Sequence, residues 1–552
     1  MNLDKEVEDI MKVLGIKQAL ARVGATSIMA SLYLCLLLGL SACGGQAAAT
    51  SSAVTDASAS AETSIVEVEA SASEDASAET SASASDTSAI DATTSAQDSS
   101  AATSAAASIK GAAPTEADIT INETIEDSGD GTHAIEADGE SASYSNVAVN
   151  KTGDAAGNDE ADFYGENAAI FATNGATLDL SEMVIKTNGT HANAVFSYGE
   201  GTTVNISDSV IETTGNTSGG LMTTGGGTMN ASNLNIHTTG NSSAAIRSDR
   251  GGGTVNVDGG SYVTDGTGSP VIYSTADITV SNATMESTAS QGVVVEGKNS
   301  VTLNNVDLVA SNVTKNSDKS DWYQAVMIYQ SMSGDAAVGT SSFAMNGGTL
   351  TNQNGDVFFV NNTVTTISLD GAQITNNGDG VFLRAAAAGW GNEGSNGGQV
   401  TLNATNQTID GDMVVDEVSN LNLYLSDGST FTGAINADGQ AGEVYVDLSD
   451  GSTWTLTGDS YITSLTCDAD SINLNGYTLY VDGKAYSEGS ASTGEAIEAT
   501  VSSGGGMGGA PDGQGGPGGT PPDGAPGDGG TPSEPPSGSG PSGGTPPEKP
   551  SN

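Results

Sequence analysis

The chain has 552 residues, 15 Lys and Arg against 68 Asp and Glu, and a formal net charge of −53. Such a field repels phosphate backbones and anionic membrane surfaces, which excludes nucleic acid as a partner. With 36% apolar and 5% aromatic residues and 74 glycines, a core of large side chains is not available over the full length, and small residues must stack instead.

At the N-terminus, Lys12, Lys17 and Arg22 precede an uncharged stretch, 23–42, the basic flank and apolar run of an export signal. It ends Leu40-Ser41-Ala42-Cys43-Gly44, which resembles the lipobox of bacterial lipoproteins. The resemblance implies cleavage after residue 42 and lipidation of Cys43, and two acyl chains on that residue give stable attachment where one is marginal. A transmembrane helix of about 20 residues is the alternative. Asp4, Glu6, Glu8 and Asp9 are unusual in a signal flank and point to Met11 as a second start. The expected location is extracellular, lipid-anchored at the cell surface. Residues 43–115 are almost wholly Ala, Ser and Thr with scattered acids. They bury too little surface to offset ordering entropy and read as a disordered spacer, whose extended reach is roughly 240 Å.

From 116 to 490 one alternating tetrapeptide recurs. Thr177-Leu178-Asp179-Leu180, Thr203-Val204-Asn205-Ile206, Thr228-Met229-Asn230-Ala231 and Thr254-Val255-Asn256-Val257 are spaced 26, 25 and 26 residues apart. Degraded copies begin at Asp277, Ser300, Thr366, Gln399, Asn420 and Glu443. A fixed period of this size means stacked units, each unable to bury its apolar face alone. Three short strand-like segments per period, with Gly or Asn turns, predict an all-β, right-handed parallel β-helix of about 14 coils, some 70 Å long at strand spacing. Tetrapeptide positions two and four point inward, and positions one and three make an outward Thr, Asn, Asp and Ser face whose ladders serve mainly stability. A third segment, as in Met183-Val184-Ile185, Val210-Ile211 and Leu234-Asn235-Ile236, is followed by a Gly and closes the coil.

A second sheet precedes each tetrapeptide and carries apolar residues on both faces. If its β-branched column packs inside, Phe171, Phe196, Met222, Ile272, Val294, Met327, Phe358 and Phe382 form an external stripe interrupted by Arg247. Such a stripe marks a partner site or a surface covered by other chain. Coil length changes at 309–324, which carries Trp322-Tyr323, and at 385–398, which carries Gly389-Trp390-Gly391. Insertions in a solenoid are where function usually sits, so Trp322, Tyr323 and Trp390, with Tyr329 and Arg384 on adjacent strands, are candidates for stacking on sugar rings; capping the stripe is the competing reading. Arg247-Ser248-Asp249-Arg250 places two scarce cations on one coil. Arg247, Asp249 and Arg250 are therefore binding candidates, against the plainer reading of a local ion pair. Asp379, Asp410 and Asp412 sit in Gly turns and are candidates for calcium, although the spacing matches no complete ligand loop. Cys467, one of three cysteines, is alone in the repeat region and reads as a small buried hydrophobe. Residues 491–552, rich in Gly and Pro, read as a disordered tail.

Lipobox, Ala/Ser/Thr spacer, β-helical repeats and Gly/Pro tail together resemble the secreted right-handed parallel β-helix repeat proteins of Gram-positive bacteria, related more broadly to pectate-lyase-like folds. Blocks such as Val293-Val294-Val295-Glu296-Gly297-Lys298-Asn299-Ser300-Val301-Thr302-Leu303 carry the likeness. The resemblance implies an adhesin-like surface protein with polysaccharide as a ligand class. It transfers no catalytic motif, and no catalytic residue is assigned. The expected function is a monomeric, non-catalytic surface lipoprotein that binds polysaccharide or host glycan without a cofactor. A polysaccharide lyase or glycoside hydrolase is the alternative from another class, and a structural envelope component is a third.

Overall fold

The computed structural model describes residues 113–499, apart from 316–318 and 440–441. Cys43, the spacer up to 112 and the tail from 500 lie outside the described residues. Within them the chain winds as a parallel β-helix. Every strand pair is parallel except the terminal hairpin of Leu479–Val481 with Lys484–Ala485.

Each coil contributes three strands. The tetrapeptide strands stack in register from Ala142–Ser145 through Thr177–Ser181 and Thr203–Ser207 to Ser464–Cys467. Their position-two column runs Leu178, Val204, Met229, Val255, Ile278, Val301, Phe343, Ile367, Leu402, Leu423, Val446, Leu465. None of these is more than 1% exposed, so the column is the core's spine. The position-four column ends at Cys467, which is buried as expected, with the thiol pushed up by burial. After each tetrapeptide the chain turns through one residue into the third strand of the coil. Asn146, Glu182, Asp208, Asn233, Asn282, Asn305 and Asn406 occupy that corner with φ of +48° to +59°. Asn and Asp tolerate this left-handed region because their short polar side chains bond locally. Asn233 donates to Asp208 at 2.7 Å and Asn305 to Asn282 at 3.0 Å, tying corner to corner. The corner is tight enough that both strands belong to one 21-stranded sheet, and in two coils they fuse into single strands, Gly227–Thr238 and Gly253–Thr264.

The next corner is built from a motif that the sequence reading resolved only as a trailing glycine. The Thr213, Thr238 and Thr264 hydroxyls donate to the carbonyls of Ser218, Ser243 and Ser269 at 2.6, 2.6 and 2.7 Å. The Ser218 hydroxyl also donates to the Gly189 carbonyl of the preceding coil at 2.8 Å. All six side chains are fully buried, so these bonds satisfy polar groups that water cannot reach. Between them lies a glycine column: a Cβ on Gly215 would sit 1.9 Å from the Gly189 carbonyl oxygen.

From here the chain enters an 11-stranded sheet running from Ile135–Asp138 to Asp412–Val415. Its outward column is Phe171, Phe196, Met222, Arg247, Tyr273, Val294, Met327, Phe359, Arg384, Val414. The expected stripe is corrected at three places. Ile272 and Phe358 face the main core, with Phe359 taking the outward position, and Phe382 joins the core at a bulge between Val381 and Leu383.

The tetrapeptide register is also shifted over the last coils. Thr401, Asn422 and Tyr445 align with Thr366, two residues on from the copies read at Gln399, Asn420 and Glu443. Residues 491–499, assigned from sequence to the tail, belong partly to the stack. The segment pairs Ser492 with Cys467 and crosses the tetrapeptide face to Asn422.

Candidate functional site

The outward column of the 11-stranded sheet is covered by the chain itself. Phe171, Phe196 and Met222 pack with Ala168 and Tyr198 in one cluster; Val294, Met327, Tyr329 and Phe359 pack with Ala386 and Trp390 in another. Phe196, Met222, Met327 and Phe359 have no solvent exposure. Trp390, 6% exposed, meets the Tyr329 ring edge-on at 5.1 Å between centroids. Trp322 lies 5.4 Å from Phe359, and the Arg384 guanidinium covers Trp322 at 4.8 Å. The 385–398 insertion is held down by buried amides: Asn361 donates to the Ala386 and Asn396 carbonyls at 2.9 and 2.7 Å, and Asn396 to the Trp390 carbonyl at 2.8 Å. Trp390 is thus buried over the sheet, while Trp322 is partly buried against it. Tyr323 stands apart, partly exposed, with the Lys315 ammonium 6.0 Å from its ring.

Arg384 forms a two-point pair with Asp356, at 2.7 and 3.1 Å. Asp356 is fully buried, and burial raises its carboxyl to about 6 although Arg384 pulls the other way.

Arg247, Asp249 and Arg250 come together in a larger network. Arg247 pairs with Asp249 at 2.7 Å; Arg250 bridges Asp159, on the short helix Asp159–Phe163, at 2.9 Å and Asp335 at 2.8 Å, with its guanidinium 4.0 Å above Phe163. Burial raises Asp249, and Arg247 opposes it. Beside it, the Tyr273 and Tyr329 hydroxyls both donate to Glu296, the latter at 3.0 Å. Glu296 is 2% exposed and raised by burial. Asp162 and His191 share a hydrogen bond of 2.6 Å in the same region. The sequence singled out the two arginines and Asp249, and Arg247 pairs locally with Asp249, but the partners of Arg250, Asp159 and Asp335, lie 91 and 85 residues away on either side. No local pattern announces them. The network clamps the helix and the 330–339 loop to the sheet, and both arginines are committed to carboxylates.

The three aspartates suggested for calcium have separate surroundings. Asp379 accepts from the Val381 amide at 3.2 Å, and Asp412 from the Ala434 amide at 2.8 Å. Asp410 pairs in its strand with Thr432. Among the described residues no three His, Cys, Asp or Glu side chains converge as a metal site, and no helix is long and apolar enough to cross a membrane.

An open groove of about 720 Å³ lies on the other side of the coils, along the tetrapeptide face. Asp179, Asn205, Asn230 and Asn256 occupy position three of successive coils. Asn205 donates to Asp179 at 2.7 Å, Asn230 to Asn205 at 2.9 Å and Asn256 to Asn230 at 3.0 Å. Ser181, Ser207, Ser232 and Asp258 form a parallel row, and Thr279, Ser281 and Asn282 close the end. A primary amide has two N–H donors and two acceptor lone pairs, so a ladder bond at each end of Asn205 and Asn230 leaves one donor and one acceptor lone pair on each. The result is a flat array of alternating donors and acceptors repeated at coil spacing, about 4.8 Å. The Asn ladder was visible in the sequence as a stabilising device; its position on an open groove was not. Neither a scan of protein-family models nor searches of curated proteins and of solved structures finds a match for this chain.

Proposed function

We propose that this chain is a cell-surface lipoprotein, anchored through Cys43, whose coil stack is a rigid scaffold presenting a hydroxyl-binding face to polysaccharide or host glycan. The observation that carries the reading is the groove over the Asn205–Asn230–Asn256 ladder. Glycans offer hydroxyls that both donate and accept, and the ladder offers the complementary groups at a regular repeat. Coil stacking fixes the amides in place, which lowers the ordering cost of a weak, repeated contact. The covered aromatic sheet supports the same assignment indirectly, because its rings are spent on packing.

A glycan array probed with the full chain, then with Asn205→Ala and Asn230→Ala together, tests this. Binding that the double variant weakens supports the reading. Absence of any glycan binding, or binding indifferent to the double variant, removes it. For the anchor, Cys43→Ala releases or misprocesses the protein; a variant that stays membrane-bound at precursor size points to a transmembrane segment instead.

A further inference from the structure

The charge of the groove narrows the ligand further, on the basis of the glycan reading above. Its lining holds amides, hydroxyls and two carboxylates, Asp179 and Asp258, and includes no Lys, Arg or His. The two acids lie three coils apart in adjacent rows, which is about 14 Å along the stack. Asp179 Oδ1 accepts from Asn205 and Asp258 Oδ1 accepts from Asn282 at 2.8 Å. Each therefore commits one oxygen to the ladder and retains a second acceptor at the groove. Two further acids, Glu182 and Asp208, stand at the adjoining corner and are tied to Asn146 and Asn233. Around this lies a chain with a net charge of −53.

We propose that the groove takes an amine-bearing glycan, a polymer of hexosamine units with free protonated amino groups, and rejects uronic-acid polymers. The ladder amides bind ring hydroxyls, and Asp179 and Asp258 accept from ammonium groups at separated positions along the same chain. A charge-assisted bond of this kind is roughly twice as strong as a neutral one. A polyuronate would place carboxylates against the two aspartates with no cation in the lining to receive them.

The test uses the full chain with three probes of equal length: a glucosamine oligomer, its fully N-acetylated form and an oligogalacturonate, at pH 6 and two salt concentrations. The free-amine oligomer binds best, the acetylated form more weakly, the oligogalacturonate not at all, and the first loses affinity with salt. Asp179→Asn with Asp258→Asn lowers affinity for the free-amine oligomer by about tenfold or more and lowers that for the acetylated form much less. A control removes the same charge at distant corners, Asp427→Asn with Asp450→Asn, and leaves binding intact. If the control weakens binding as much as the groove variant, attraction is diffuse and the proposal fails. Equal or better binding of the acetylated oligomer, or any binding of the oligogalacturonate at the groove, also overturns it while the glycan reading survives. Failure of all three probes together with a blank array removes both.

Discussion

Asn422 satisfies both backbone polar groups of Ile497: its Nδ2 donates to the Ile497 carbonyl at 2.9 Å and its Oδ1 accepts from the Ile497 amide at 2.8 Å. The two residues are far apart in sequence, and the pairing fastens the described C-terminal segment across the tetrapeptide face. Gly494 and Glu495 are held lower on the same face by Thr466 and Ser464, at 3.0 and 2.9 Å.

Asn422→Ala therefore detaches the segment at its far end. Two hydrogen bonds at about 1 kcal/mol each set the scale, ~2 kcal/mol, and the loss is local because the segment's one β-bridge to the stack, Ser492 with Cys467, is left intact. Amide exchange of residues 494–498 is expected to rise and cleavage there to become faster, with the main thermal transition shifted by only a degree or two. Cooperative loss of the whole stack would show that the segment is an obligatory cap.

Much of this fold was legible because its period is unmistakable, and the errors have one physical source. Alternation identifies which residues point inward but is unchanged by a slip of two, so Gln399, Asn420 and Glu443 were read one inward step away from the register that places Thr401, Asn422 and Tyr445 over Thr366. A different ambiguity, of one residue, put Phe358 rather than Phe359 in the outward stripe, because of two adjacent aromatics only the strand pairing decides which faces inward. The binding candidates were harder. Trp322 and Trp390 were found as aromatic insertions, but whether an insertion projects or folds back depends on buried amides such as Asn361 and Asn396, whose roles appear only when the coils are stacked.

Close stacking makes the glycine column the most sensitive part of the backbone. Gly215→Ala drives a methyl into the Gly189 carbonyl, and since backbone on both sides is locked into ladders, the coils must separate. A cost of ~3 kcal/mol or more is expected, at the upper end of overpacking penalties. Gly175→Ala is the comparison, for its Cβ meets nothing within 4 Å and only its φ of +79° opposes the change, a cost of about 1 kcal/mol. Denaturant midpoints of the two variants should differ in that order; equal midpoints would show that the column relaxes.

Buried acids give the stability an unusual pH dependence. Asp356 titrates near 6 in the folded chain against an ordinary aspartate value of about 4, because burial disfavours its charge. The native state thus binds more protons than the unfolded state between about pH 4 and 6, and stability rises as pH falls through that window. Glu296 and Asp249, also raised by burial, act in the same direction. Asp127 and Asp265 are held low, the first by hydrogen bonds that outweigh its desolvation and the second chiefly by its bond to His237, so their contribution disappears in stronger acid. Melting temperature is expected to be highest near pH 4, to decline as pH rises through about 6, and to level off above that. Asp356→Asn lowers stability by leaving Arg384 unpaired, and it also flattens the slope between pH 5 and 7. An unchanged slope would assign the effect to the other acids.

The last prediction separates cap from ligand contact at Trp390. The ring is 6% exposed and closes over Tyr329, which in turn donates to the buried Glu296. Trp390→Ala empties that position at a cost of ~3 kcal/mol, the lower end for a buried aromatic, because an insertion can partly collapse. Water then reaches Tyr329 and Glu296, so amide protection is expected to fall across 386–397 and in the strand Gln324–Tyr329. Glycan affinity stays at the parent value, since the groove of Asn205, Asn230 and Asn256 lies on the opposite strand set of the coil. Loss of glycan binding with amide protection unchanged would reverse the assignment and return the site to the aromatic insertions.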